Sequence, residues 1–273
     1  MTGREIVQMA FELKEPPRLP VSLFAGGAWM VHQAGKTFAE IKENPEMVAA
    51  IFIRAFEQVG HDFFLTGSNF VNYPFHFLGC PIQDDSSDSP ALHGTVIKSL
   101  KEVDSLRIEK VMTNPTMHGI IRSQHLVAEA IGKKTLAMTT HWAPLSCAAR
   151  ILGLEAVLTA TIEDPEGLLR LIDFSTELVW ALMEPALEHP DILGANLAEP
   201  VASGDLISPQ TFRRFAAPFL KELVKRVRDK GKYSMIHICG NTSKILQDIV
   251  DIRPNCFSLE KKVDLRQAKE ALG

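Results

Sequence analysis

The sequence predicts an α/β protein built on a parallel sheet, and three observations carry that reading. Short apolar runs, several too brief for a helix, alternate with long amphipathic stretches, which is the pattern of βαβ units. Three segments place an N-capping side chain directly before a proline, whose missing N–H costs nothing in a first helical turn. The chain has 273 residues, 46% of them hydrophobic, enough for one large core or two small ones.

In chain order, Thr2 and Glu5 have the spacing of a capping box ahead of the amphipathic stretch Glu5 to Lys14, so residues 1–19 form an N-terminal helical extension. The predicted strands are Pro20 to Phe24, Asp62 to Thr66, Thr135 to Thr140, Gly194 to Glu199, Ser234 to Cys239 and Cys256 to Glu260. Helix starts fall at Asn44-Pro45, Asp164-Pro165 and Ser208-Pro209. The long helical patterns run over Glu166 to Leu187, Pro209 to Lys230 and Ser243 to Ile252, with a last one from Leu265 to Leu272. Asp84 to Pro90 reads as a polar loop, and Thr95 to Ile108 as a stretch without regular pattern. Six strands are two short of a closed (β/α)8 TIM barrel. The expectation is a single barrel domain over residues 1–273 that lacks its last two strands. At its open seam a partner chain or distortion is expected, and a homo-oligomer is a further expected association.

Twenty-nine Lys and Arg against 33 Asp and Glu give a formal charge of −4. That balance lacks the basic excess that neutralises phosphates, which argues against nucleic acid as a partner. Charges every few residues at the N-terminus fit neither a signal peptide nor a membrane-spanning helix, so a cytoplasmic protein with no membrane partner is expected. Four cysteines, Cys80, Cys147, Cys239 and Cys256, are too few for a disulfide framework and read as core residues or metal ligands.

The sharpest chemical signal is the segment Tyr233 to Thr242, YSMIHICGNT. On a strand, His237 and Cys239 project from one face, and the Gly-Asn-Thr turn puts them at its C-terminal end, where barrels build active sites. An imidazole and a thiolate two residues apart suit Zn²⁺, which accepts mixed nitrogen and sulfur ligands. The other reading is a core cysteine beside a structural histidine. Glu260, at the end of the next strand, is the candidate third ligand, or else a solvated strand-end acid. Cys256 starts that strand roughly 13 Å from the metal end and belongs to the core.

These residues carry a resemblance. HICGNTSKILQDIV followed by FSLEKKVDLRQAKEALG, with VASGDLISPQTFRRFAAPFLKEL, HWAPLSCAARILGLEAVL and the early MVHQAG, resembles the uroporphyrinogen decarboxylase superfamily. The similarity is to its zinc-dependent corrinoid methyltransferase branch. Three departures point away from the decarboxylases themselves. Their Arg-Gln-Ala-Gly-Arg segment reads His32-Gln33-Ala34-Gly35-Lys36 here, their Ser-Asp reads Ser68-Asn69, and a tyrosine of theirs corresponds to Arg150. The bidentate clamp for substrate carboxylates is gone.

The resemblance implies a zinc site at His237 and Cys239, completed in the family by a distant cysteine without a counterpart in this chain, and supports Glu260 as a ligand when substrate is absent. It further implies methyl transfer between a corrinoid on a separate carrier protein and a small thiol or an O- or N-methyl compound. Glu199, where the family has an acid before proline, is a candidate for orienting substrate or a histidine behind the site, with a salt-bridged rim residue as its alternative. Asn69 and His141 are the other candidate catalytic residues, His141 with a packing role as its alternative. The competing functions are a uroporphyrinogen decarboxylase-type lyase and a non-catalytic barrel that binds a corrinoid carrier. Asn241 is expected to fix its turn, and Phe63, Phe64 and Phe70 to line the core or a pocket wall.

Overall fold

The computed structural model describes residues 1–272. Seven strands occur: β1 (Phe63–Leu65), β2 (Ile82–Gln83), β3 (Ala91–Leu92), β4 (Leu136–Trp142), β5 (Ile192–Ala198), β6 (Tyr233–His237) and β7 (Cys256–Ser258). Five of them make a curled parallel sheet in the order β1-β4-β5-β6-β7, and β2 pairs antiparallel with β3 around the polar loop at Asp84 to Pro90. No single helix is long and apolar enough to cross a membrane among the described residues.

One compact unit comprises Met1–Gly94, Arg107–Thr140 and Ala181–Ala195. Its helix Pro45–Val59 starts as the sequence predicts: Asn44 Oδ1 accepts from the Met47 N–H at 2.9 Å, Pro45 occupies the first turn, and Gly60 ends the helix with a φ of 70°. The helix buries Phe52, whose ring meets Phe64 at 6.0 Å, while Phe70 stacks on Tyr73 and meets Phe38 edge-on at 5.3 Å. Phe63, Phe64 and Phe70 are therefore core residues. The Thr2 and Glu5 capping box forms, and its helix, Gly3–Phe11, ends three residues before Lys14.

Pro20 to Phe24 is not a strand. Its polar backbone is taken up by side chains instead: the Val21 N–H donates to Asp62 Oδ2 at 2.8 Å, and the Leu23 N–H donates to His61 Nδ1 at 3.1 Å. Arg18 donates to both oxygens of the same Asp62 carboxylate. Hydrogen bonds from Arg18, with its charge beside them, hold this buried carboxyl below its usual value of 3.8. A depressed acid contributes stability above its unfolded pKa and loses it as pH falls through the folded one. Asp62→Asn is accordingly expected to lower stability by about 1–2 kcal/mol at pH 7 and by less at an acidic pH well below 3.8. Urea titrations at the two pH values read it; equal deficits at both would contradict the linkage.

The second unit comprises Thr95–Leu106, His141–Trp180 and 196–272. Ser208 caps its helix as expected, its Oγ accepting from the Thr211 N–H at 3.1 Å. The predicted helix from Pro209 to Lys230 is broken, running over Pro209–Phe215 and Ala217–Asp229. Pro218 lacks the N–H that would continue the ladder, and Ala216 leaves helical geometry before it. Thr95 to Ile108 contains a short 3₁₀ helix, Leu100–Ser105. The last helix, Leu265–Leu272, turns Ala268 onto Leu246 and Val263, beside Phe257 and Leu259.

Candidate metal centre

The register of β6 on β7 builds the centre. Asn255 pins the start of the pair, its N–H donating to the Ser234 carbonyl at 2.9 Å and its Oδ1 accepting from the Ser234 N–H at 3.0 Å. From there Met235 lies beside Cys256 and His237 beside Ser258. His237 Nδ1 stands 2.9 Å from Ser258 Oγ, and its Nε2 stands 3.1 Å from Cys239 Sγ. With Nδ1–H donating to the serine, Nε2 presents its lone pair to the sulfur. The chain turns away at Gly240, φ 76°, where a Cβ would fall 2.4 Å from both Ser203 Oγ and Asp205 Oδ2. Asn241 Oδ1 accepts from the Ser243 N–H at 3.0 Å and so fixes the turn.

Burial lowers the His237 pKa, against the opposing charge of Glu260, and burial together with that same charge raises the Cys239 thiol. Both shifts favour the neutral imidazole and the neutral thiol, a nitrogen and a sulfur donor 3.1 Å apart. Glu260 is two residues beyond β7 and half-buried. It acts on both groups by charge, yet among the described residues no three His, Cys, Asp or Glu side chains gather closely enough to hold a metal ion. Cys256 is pushed up to about 11 by burial, as a core thiol is.

Glu199 follows β5 and is fully buried. Its backbone N–H donates to the His237 carbonyl at 2.8 Å, and its carboxylate accepts from the N–H groups of Leu145 at 3.1 Å and Ser146 at 2.6 Å. Those are the second and third residues of the helix Pro144–Leu152, whose own cap position holds Ala143 and so no side-chain acceptor. Glu199 supplies that cap from a different strand. Burial pushes its pKa up to about 7 against the pull of these hydrogen bonds.

Asn69 does the same in the other unit. The helix Gly27–Gln33 is preceded by Gly26, which has no side chain to cap it. Asn69 Oδ1 accepts from the Ala28 N–H at 3.1 Å, and Ser68 Oγ accepts from the Gly27 N–H at 3.2 Å. Its amide nitrogen donates to Ser89 Oγ. His141, in the second unit, is buried, and burial lowers its pKa to about 3, so its imidazole stays neutral across the physiological range.

Two participants escape a linear reading. Ser258 touches His237 only because the register aligns them, and its one sequence signal is its place two residues before Glu260 on a strand. Arg150 lays its guanidinium over the Trp142 ring at 4.7 Å, and only the contrast with the family's tyrosine marks it in the sequence.

His237 ends β6, and Glu199 and Cys239 lie just past the C-terminal ends of β5 and β6 of the parallel sheet; the model of the uroporphyrinogen decarboxylase (URO-D) family matches residues 2–273. The chain belongs to that family. It is 24% identical over 97% of its length to a methylcobamide:CoM methyltransferase of Methanosarcina barkeri, covering 77% of that protein. A methylated-thiol:coenzyme M methyltransferase of Methanosarcina mazei is 29% identical over 67% of this chain and 48% of its own. Among solved structures, a methyltransferase from Methanosarcina mazei shares the fold at a TM-score of 0.83 and 21% identity, covering 100% of this chain and 80% of its own.

Proposed function

We propose that this chain is a corrinoid-dependent methyltransferase that moves a methyl group between a corrinoid on a carrier protein and a small thiol or methylated compound, with zinc at His237 and Cys239. The observation that carries this is the imidazole Nε2 facing Sγ at 3.1 Å, with Nδ1 engaged by Ser258. A nitrogen and a sulfur so disposed fit zinc, and the ion supplies the positive charge that keeps a substrate thiol ionised at neutral pH. The chain's residues do the rest: Ser258 holds the ring and its tautomer, and Glu199 ties His237's strand end to the helix beside it. Glu260 is the proposed third donor in the substrate-free state, reaching the pair by rotation of its side chain. His141, as a neutral imidazole, and Asn69 are proposed as further catalytic residues.

The proposed scaffold is one family domain of the TIM-barrel type over 1–273, working in the cytoplasm. The experiment is to mix the zinc-loaded protein with methylcobalamin and a thiol and follow the corrin absorbance. Demethylation that requires both protein and thiol is expected. No demethylation, with conversion of uroporphyrinogen instead, would overturn the proposal in favour of a lyase.

Ser258→Ala is expected to weaken zinc binding about 10- to 100-fold, because the ligand ring loses the partner that fixes its tautomer. Competition with a chromophoric chelator measures this, and Ser258→Thr should restore affinity. Equal affinities for all three forms would remove Ser258 from the site.

A further inference from the structure

The loop after β5 and the turn after β6 enclose a cavity of about 330 Å³. Backbone contacts fix its walls. The Gly204 N–H donates to the Asn241 carbonyl at 3.1 Å, a Cβ on Gly204 would fall 2.3 Å from that oxygen, and the Asp205 N–H donates to Ser203 Oγ at 3.2 Å. Two opposite charges line the cavity without pairing with each other. Asp205 Oδ2 is held at 2.7 Å by Lys262, whereas among the described residues nothing accepts a hydrogen bond from the Lys244 ammonium or from the Asn241 side-chain amide. Leu206, Pro209, Phe212 and Ile245 supply the apolar part of the lining, and Leu206 is exposed.

An anion in this cavity would face the Asp205 carboxylate and a cation the Lys244 ammonium, while an apolar group would leave both charges and the Asn241 amide without partners. A neutral group that both accepts and donates satisfies all three. A primary amide does so with one carbonyl oxygen and two N–H bonds, and Asp205 keeps lone pairs for it beside Lys262. In the proposed reaction, the molecule that carries such groups is the corrinoid, whose ring is edged with acetamide and propionamide arms. The carbonyl carbon of an acetamide arm is about five bonds from the cobalt, roughly 7 Å. Asn241 follows Cys239 by two residues, a reach of at most about 7 Å. We infer that this cavity receives one primary-amide arm from the rim of the corrin ring, with Lys244 and Asn241 donating to its carbonyl oxygen and Asp205 accepting from its N–H. The inference rests on the corrinoid methyltransferase reading of the His237 and Cys239 pair, and it names the surface beside that pair which orients the ring.

The test reads binding as well as activity. Equilibrium dialysis of the metal-free protein against methylcobalamin is expected to show Lys244→Met binding about 10-fold more weakly than wild type, with Lys244→Arg close to wild type because it keeps charged donors. Methylcobinamide, which keeps rim amides but lacks the phosphodiester of the nucleotide loop, is expected to repeat that pattern. Loss of the Lys244 effect with methylcobinamide would mean that the lysine holds the phosphate, and would overturn the amide assignment. Equal binding of methylcobalamin by wild type and Lys244→Met would overturn it too. In methyl transfer to 2-mercaptoethanol by the zinc-loaded protein, Lys244→Met should raise KM for methylcobalamin about 10-fold and leave kcat within about two-fold. Transfer by both proteins with equal corrinoid binding removes the inference and leaves the methyltransferase reading standing. Lys244-dependent binding with no transfer by either protein does the reverse. Lys244 is exposed, so the variants should melt with wild type, and a variant that melts low is replaced by Lys244→Ala in the same dialysis.

Discussion

Alanine at either His237 or Cys239 is expected to abolish zinc retention and methyl transfer together. Each side chain is one of the two donors that the fold brings face to face, and the remaining one with Glu260 alone cannot hold the ion against water. The effect is set by chemistry and not by unfolding. His237 is half-buried, and its β-ladder contacts to β7 are made by backbone atoms that alanine keeps. Melting of the metal-free variants should stay within about 1 kcal/mol of wild type, while zinc per chain, measured by atomic emission after desalting, falls to background. Normal transfer by a metal-free variant would exclude the site from the reaction.

Glu199→Ala is the second large effect, and it works through the fold. Removing the carboxylate strands the buried N–H groups of Leu145 and Ser146 at the start of a helix whose own cap residue is Ala143. Two buried donors without acceptors, together with the space left by the side chain, should cost about 3–5 kcal/mol. Glu199→Gln keeps one acceptor oxygen for the two donors and should lose about half as much. Urea unfolding of the metal-free proteins measures both. The Glu199 N–H that holds the His237 carbonyl is kept in both variants, so zinc binding should change far less than stability. An alanine variant as stable as wild type would mean that the helix start finds other acceptors.

The comparison of residues with structure shows where a one-dimensional reading succeeds. Five of the six expected strands form, because a short apolar run between capped helices has few alternatives. Pro20 to Phe24 has the same composition but fails, since Asp62 and His61 offer its N–H groups side-chain acceptors, a tertiary fact with no local signal. The expected single helix from Pro209 to Lys230 missed the break before Pro218, although the proline marks it in the sequence. In the site, the period-two spacing of His237 and Cys239 is local and therefore legible. Ser258 depends on strand register, set by Asn255 twenty-one residues from its partner. Glu199 and Asn69 drew attention as acids and amides at strand ends. Their work as caps for helices that begin with Ala143 and Gly26 emerges only when distant segments are brought together.

The central claim is that one imidazole nitrogen and one cysteine sulfur of this chain bind the same zinc ion. X-ray absorption at the zinc edge of the loaded wild-type protein tests it most directly. The account predicts one zinc per chain with a protein sulfur at about 2.3 Å and imidazole nitrogen at about 2.0 Å, the sulfur shell disappearing in Cys239→Ser. A shell of oxygen and nitrogen alone in the wild type, unchanged by that substitution, would contradict it.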